Sequence, residues 1–356
     1  MSRHKICVIT ATRAEFGLLT PLMKLIRDDE EMELQVVVTG AHLSSEFGLT
    51  YKEVEQEFFI NKKIEMLLSS DTSVGVSKSM GLAQISFSEA YEQLSPDIIL
   101  VLGDRYELIP IVSTALIMSI PVAHISGGEI TEGALDDSIR HAITKMSHLH
   151  FTSTEAYRKR VIQLGEQPER VFNVGEAGLD NLFNTKLLSK SDFQQSIGFE
   201  LGKRNILVTF HPVTLEQGSA KEQCKELLNA IDKLKDTRII FTKANSDVDG
   251  RVINSMLEDY VQKNSNKAVL FSSLGQLRYL SALQFVDAVV GNSSSGLVEA
   301  PSFKIGTINI GNRQKGRIKA KSVIDCTVDE KSISKAFETL YSKGFQQQLK
   351  DIENPY

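Results

Sequence analysis

Short apolar runs alternate with longer mixed stretches along the whole chain. Ile98-Ile99-Leu100-Val101-Leu102 is apolar without a polar break, the signature of a parallel strand covered on both faces. Similar runs predict strands over Lys5–Thr10, Glu33–Thr39, Asn61–Leu68, Asp97–Leu102, Pro121–Ser126 and His148–Thr152. Helices are predicted between them, over stretches such as Phe16–Arg27, Ser77–Leu94 and Glu107–Met118. A second series predicts strands over Val171–Val174, Asn205–Phe210, Thr237–Thr242, Ala268–Phe271, Val286–Val290 and Gly306–Ile310. Its helices fall near Glu216–Leu234, Val248–Lys263 and Leu274–Gln284, and the polar tail from Asp329 reads as helical. Strand and helix in alternation predict a doubly wound parallel α/β sheet, and two series predict two Rossmann-like domains. The joint is expected near Gly175-Glu176-Ala177-Gly178, which gives domains over 1–176 and 177–335.

Composition narrows the classes. A chain of 356 residues suits two domains. Lys+Arg is 40 and Asp+Glu is 45, a net charge of −5 with no basic block, which lacks the footprint of a nucleic-acid binder. Cys7, Cys224 and Cys326 are far apart and odd in number, which fits neither a disulfide framework nor a zinc site and suits a reducing cytoplasm. The apolar run after Lys5 stops at Ile9, too short for a secretory leader. The most apolar window, Leu108–Ala123, is broken by Pro110, Ser113, Ser119 and Pro121 and does not read as a membrane span.

Parallel sheets bind ligands at the carboxyl ends of their strands. The residues just beyond each predicted strand are therefore the informative ones. They are Ala11-Thr12-Arg13-Ala14-Glu15, Gly103-Asp104-Arg105 and Gly127-Gly128-Glu129 in the first series. In the second they are His211-Pro212, Lys243-Ala244-Asn245 and Gly291-Asn292-Ser293-Ser294-Ser295-Gly296. Two such edges facing each other would make a small-molecule cleft. Gly291–Gly296 could cradle a phosphate before a helix over Leu297–Ala300, or its serines could simply cap that helix. Arg313 could pair with the same phosphate or sit on a solvated basic loop. Asp104 and the adjacent Asp136 and Asp137 could be acid/base groups or helix caps. His211 could shuttle a proton or be an ordinary loop histidine. His148 and His150 alternate on a strand but lack a third metal ligand, so no metal site is expected. Neither the dinucleotide glycine fingerprint nor a Walker A motif is present, and no cofactor is expected.

The ordered set of Thr12-Arg13-Ala14-Glu15, Gly103-Asp104-Arg105, Gly127-Gly128-Glu129, Asp136-Asp137-Ser138-Ile139-Arg140-His141, His211-Pro212, Asn292-Ser293-Ser294-Ser295-Gly296, Pro301-Ser302-Phe303 and Asn309-Ile310-Gly311-Asn312-Arg313-Gln314 resembles the hydrolysing UDP-N-acetylglucosamine 2-epimerases of bacterial sialic-acid synthesis. The resemblance implies the glycosyltransferase-B fold: two Rossmann-like domains, the active site in the cleft between them, and a C-terminal helix (about 336–356) that returns to the first. It implies conversion of UDP-N-acetylglucosamine and water to N-acetylmannosamine and UDP. UDP would leave by elimination through 2-acetamidoglucal, and hydration would follow. It assigns Arg13, Arg105, His211, Asn245, Ser293, Ser294, Gly296, Glu299 and Arg313 to the UDP-sugar. Asp104, Glu129, Asp136, Asp137 and His211 become the candidates for proton transfer. A homo-oligomer, dimer or tetramer, is expected, with no nucleic-acid or membrane partner.

The sequence departs from the pattern at two points. Ser126 stands where some members carry an acid, and Ala177 where relatives often carry proline. The first bears on which group moves a proton, and on the sugar: close relatives act on UDP-N,N′-diacetylbacillosamine in legionaminic-acid synthesis. Two competing classes remain, a UDP-sugar-dependent glycosyltransferase of the same fold and a catalytically silent UDP-sugar sensor.

Overall fold

The computed structural model describes residues 3–70, 72–132, 135–213, 218–244 and 250–356. The chain divides into two compact units, one of Met1–Glu129 with Asp136–Asn181 and one of Ile130–Leu135 with Leu182–Tyr356. The first holds strands β1 (His4–Thr10), β2 (Met32–Thr39), β3 (Lys62–Ile64), β4 (Ile98–Leu102), β5 (Val122–Ile125), β6 (Leu149–Thr152) and β7 (Val171–Asn173). They form one sheet in the order β3-β2-β1-β4-β5-β6-β7, and its pairings are parallel. The second unit holds β8 (Arg204–Thr209), β9 (Thr237–Thr242), β10 (Ala268–Phe271), β11 (Ala288–Gly291), β12 (Gly306–Ile310) and β13 (Val323–Cys326). Its parallel order is β10-β9-β8-β11-β12-β13.

Each sheet is buried on both faces, which is why its strands carry no polar alternation. In β1, Cys7 and Ile9 face a core with Phe87 and Tyr91 of helix Ser73–Leu94 and Ile111 of helix Leu108–Ile117. Val8 between them faces Phe16, Leu19 and Met23 of helix Arg13–Asp28. The second sheet repeats the scheme. Ile206 and Val208 pack with Leu227, Leu257 and Phe337, while Leu207 packs with Phe193 and Leu283. Among the described residues no helix is long and apolar enough to cross a membrane.

Three details differ from the sequence reading. Val171–Asn173 pairs with β6 and completes the first sheet, whereas the alternation assigned it to the second series. β13 is an addition: four residues, none of them buried, give a weak apolar signal. The C-terminal segment packs on the second unit, where the resemblance implied a return to the first. Helix Glu330–Leu340 buries Ile333, Ala336, Phe337 and Leu340 on the second core, and Leu349 and Ile352 pack on Ala320. Asn354 Nδ2 then donates to Val298 O and Ser302 Oγ, both at 2.7 Å.

The strand order reverses direction between β1 and β4 in the first sheet and between β8 and β11 in the second. At such a point neighbouring chain connections diverge to opposite faces and open a crevice at the carboxyl ends. Arg13, Asp104 and Arg105 come after β1 and β4. His211 and Asn292–Ser294 come after β8 and β11.

Candidate active site

In the first unit β1 ends in a capping box. Thr12 Oγ1 accepts from Glu15 N–H, and Glu15 Oε2 accepts from the N–H groups of Ala11 (2.7 Å) and Thr12 (3.1 Å). Glu15 is buried, and burial pushes its carboxyl up to about 7, with Arg105 opposing and Glu107 adding to the rise. Arg13 pairs with Glu53 at 2.9 Å on the surface. Arg105 lies against the buried Glu107, its Nη2 3.0 Å from Oε1.

The turn after β4 bends at Gly103, where φ is +87°. His124 on β5 donates from Nε2 to Gly103 C=O at 2.8 Å. Burial holds this histidine neutral, its pKa lowered to about 4 against the opposing hydrogen bond. The next residue, Asp104, is half-buried and ion-paired with the buried Arg140 of helix Asp136–Met146.

After β5 the chain runs through Ser126, at φ +63°, into Gly127-Gly128-Glu129. The second glycine is required by contact: a Cβ on Gly128, at φ +79°, would lie 2.6 Å from Tyr157 O. That approach lets Arg160 Nη1 donate to Gly128 C=O at 2.7 Å and Ser153 Oγ donate to Glu129 Oε1 at 2.9 Å. Glu129 is thus a buried carboxylate with a hydroxyl donor on it. Asp136 and Asp137 open the next helix, as expected, and Asp137 lies 3.7 Å from both Arg140 Nη1 and His141 Nε2. Arg140 Nη1 also donates to Glu129 C=O at 2.9 Å, so Asp104, Asp137 and the Glu129 main chain gather around one side chain, Arg140.

In the second unit the organising residue is Asn292. It is fully buried, its Oδ1 accepts from His211 N–H, and its Nδ2 donates to His211 C=O, both at 2.8 Å. Its own carbonyl accepts from Arg313 Nη1 (3.2 Å) and from buried Gln314 Nε2 (2.9 Å). The structure thus brings His211 and Arg313 together on Asn292. Ser293 Oγ accepts from Ser295 N–H at 3.4 Å. Ser294 makes no side-chain cap, and the helix it opens is the single turn Ser295–Val298. A dipole from four residues gives little pull on a phosphate, so the helix N-terminus alone is a weak reason to expect one there. Gly296 also has a packing reason, since a Cβ there would lie 2.6 Å from Thr307 Cγ2. Glu299 is partly buried with Oε2 shielded from solvent and without a hydrogen bond. Burial raises its carboxyl, opposed by Ser295 and Arg317. Asn245 lies outside the described residues.

The histidine pair divides. His148 Nδ1 accepts from Val122 N–H at 3.2 Å, while His150 is buried with Nε2 3.3 Å from Glu166 Oε2. Among the described residues no group of three or more His, Cys, Asp and Glu is placed to hold a metal ion.

Chain comparisons decide the family. Residues 24–356 match the UDP-N-acetylglucosamine 2-epimerase family. The chain belongs to it. A protein of Campylobacter jejuni named GDP/UDP-N,N′-diacetylbacillosamine 2-epimerase (hydrolyzing) is 50% identical, covering 98% of this chain and 90% of its own length. The UDP-N,N′-diacetylbacillosamine 2-epimerase (hydrolyzing) of Legionella pneumophila is 35% identical over 91% of this chain and 85% of its own. The crystal structure of UDP-GlcNAc 2-epimerase from Neisseria meningitidis bound to UDP-GlcNAc superposes with a TM-score of 0.82 at 16% identity, covering 99% and 95% of the two chains. That likeness gives the two-domain glycosyltransferase-B fold. Within the family the chain falls in the hydrolysing UDP-sugar branch.

Sequence reasoning kept Arg140 and Asn292 inside motifs without giving either a role. The signal for Arg140 was its spacing from Asp136 and Asp137, which puts all three on neighbouring turns of one helix. For Asn292 there was none, because its partner lies 81 residues away.

Proposed function

We propose that this chain is a hydrolysing 2-epimerase whose substrate is UDP-N,N′-diacetylbacillosamine. The observation that carries it is the 50% identity, over nearly the whole chain, to the Campylobacter jejuni protein named for that sugar. The Legionella pneumophila relative points the same way. This replaces the sequence expectation of UDP-N-acetylglucosamine as the main substrate. Gly127-Gly128-Glu129 after Ser126 is compatible with the change, since an acid is supplied three residues later.

The reaction is an elimination followed by a hydration. A base removes the proton at C2, the C1–O bond breaks, and UDP leaves with the bonding electrons. Water then adds to the resulting glycal, its hydroxyl at C1 and a proton at C2 on the opposite face. C1–O cleavage must lead because the C2 proton is barely acidic, so preorganised donors on the leaving diphosphate matter most. We assign that work to His211, Ser293, Ser294 and Arg313, with Arg13 and Arg105 as further cations. Glu299 takes ribose hydroxyls. Asp104, Glu129, Asp136 and Asp137 are the proton carriers, and two are needed because transfer requires heavy atoms within about 2.6–3.2 Å on each face.

We also assign the chain to a homo-oligomer, on the apolar side chains left exposed at Val74, Leu82, Ile85, Leu116 and Ile117 of two helices that pack together.

The test is incubation with UDP-N,N′-diacetylbacillosamine, its GDP counterpart and UDP-N-acetylglucosamine, with products read by NMR. The proposal expects UDP and the C2-epimerised 2,4-diacetamido sugar, with kcat/KM roughly tenfold or more above that for UDP-N-acetylglucosamine. Preference for UDP-N-acetylglucosamine overturns the sugar, and preference for the GDP compound overturns the nucleotide. Sugar transfer only in the presence of an acceptor overturns the reaction class.

A further inference from the structure

We infer that Arg140 is the positioning residue of the acid/base edge, one buried guanidinium that sets the places of Asp104, Glu129 and Asp137. The inference rests on the 2-epimerase reading above, because it gives Arg140 a role in that chemistry.

The turns after β4 and β5 and the start of Arg140's own helix meet at this side chain. Asp104 comes from the turn after β4, Glu129 from the turn after β5, and Asp137 from the first turn of Arg140's own helix. Arg140 Nη2 donates to Asp104 Oδ2. Nη1 donates to the main-chain carbonyl of Glu129 at 2.9 Å and lies 3.7 Å from Asp137 Oδ1. A guanidinium presents five N–H donors in one rigid plane, so a single group can fix several partners relative to each other.

Burial is arranged unequally. The Arg140 side chain is 1% exposed, while those of Asp104 and Asp137 are 24% and 28% exposed. The cation is locked inside, while the Asp104 and Asp137 carboxylates stay partly exposed, where they can meet a ligand. A fold that needed only stability could fill such a site with apolar atoms at no loss, since a buried ion pair often gains little against them. Here the buried cation stands where the acid/base candidates converge.

Other contacts hold the same turns and survive loss of Arg140. His124 braces Gly103, Arg160 braces Gly128, and Ser153 holds the Glu129 carboxylate. Loss of Arg140 should therefore loosen the Asp104 and Asp137 carboxylates while the turns stay folded. A displacement of about 1 Å at a reacting group costs on the order of 100-fold in rate. Nucleotide affinity should change little with it, because the proposal gives the diphosphate and ribose to other side chains, His211, Ser293, Ser294, Glu299 and Arg313.

The test uses the full chain and Arg140→Met, Arg140→Lys, Asp104→Asn and the Arg140→Met/Asp104→Asn double variant. Turnover of the UDP-sugar, UDP binding by calorimetry and melting are measured for each. We expect Arg140→Met to lose roughly 100-fold in kcat, with KM and UDP affinity within about threefold of wild type. Arg140→Lys should recover part of that loss. The double variant should lose little more than the worse single one, because both changes remove the same arrangement. A loss carried by KM or UDP affinity, or losses that multiply in the double variant, would overturn the inference. If Arg140→Met does not fold, Arg140→Lys decides: lowered kcat at unchanged KM and melting supports it, and full kcat overturns it. Wild-type protein that epimerises no UDP-sugar defeats the 2-epimerase reading itself. Active wild type with unaffected Arg140 variants defeats only this inference.

Discussion

At the carboxyl end of the first sheet, buried ionisable groups organise the turns. Arg140 is wrapped by Asp104, Asp137 and the Glu129 carbonyl, and Glu15 sits with Arg105 and Glu107. At the same end of the second sheet buried amides organise them, with Asn292 clasping both backbone groups of His211 and Gln314 donating to Asn292. The two sheets share a topology and a switch point, so the difference lies in the turns beyond the strands. An ionic hub is costly to disrupt, because a partner left behind is a buried charge. An amide network is weaker but adds no net charge. The first suits groups that must hold and release protons. The second suits a surface that binds an anion through Arg313.

The sharpest way to break this contrast is Asp104→Asn. Turnover should fall by roughly 10²–10⁴-fold while UDP affinity stays within about twofold. Quenched-flow mass spectrometry should also find one of Glu129→Gln, Asp136→Asn or Asp137→Asn releasing free glycal, since elimination survives where hydration fails. Near-normal turnover in Asp104→Asn, or no glycal from any of the three, would undo the division of roles.

Next in size is the pH dependence of the ionic edge. Glu15 has its carboxyl at about 7 in the folded chain against an ordinary 4.5. Its protonated form is favoured by folding, so this stability is fully present below pH 4.5 and is lost as pH rises through 7. The shift corresponds to about 3 kcal/mol. Glu15→Gln should flatten denaturation stability between pH 5 and 8 by about that amount. His42 and His124, both lowered to about 4 by burial, act in the opposite sense. Their contribution is present above 6.5 and lost as pH falls through 4, so the difference between wild type and Glu15→Gln is the quantity to read. A difference that does not change with pH would show that Glu15 stays ionised in its capping box.

On the neutral edge the effects are smaller. Arg313→Ala should weaken UDP binding about 10–100-fold, the worth of a charged hydrogen bond, with kcat at saturation nearly unchanged. Unchanged UDP affinity in calorimetry would remove Arg313 from the site. Asn292→Ala should cost roughly 1–3 kcal/mol in denaturant unfolding, with UDP affinity falling less than in Arg313→Ala. A stability equal to wild type would mean that His211 does not need its clasp.

Much of the scaffold was legible because parallel strands buried on both faces read as unbroken apolar runs, as Ile98–Leu102 does. The boundary strand Val171–Asn173 was not, because a three-residue strand carries no sign of which neighbour it pairs with. The candidate site was legible as polar residues that stop those runs: Asp104 after β4, Glu129 after β5, His211 after β8. The group that ties Asp104 and the Glu129 turn together was hidden. Arg140 looks like any helical arginine until β4 and β5 deliver an aspartate and a carbonyl to it. Gly296 looked like a ligand contact, and Thr307 gives it an ordinary packing reason. Sequence spacing shows which residues share a helix turn, but not which distant side chain fills the space beside a glycine.

The central claim, elimination and hydration at C2 of UDP-N,N′-diacetylbacillosamine, is tested most directly by proton NMR of turnover in D₂O. The account predicts UDP together with a free, C2-epimerised 2,4-diacetamido sugar carrying deuterium at C2. An epimerised product that keeps its protium at C2, or UDP released with the original configuration intact, would contradict it.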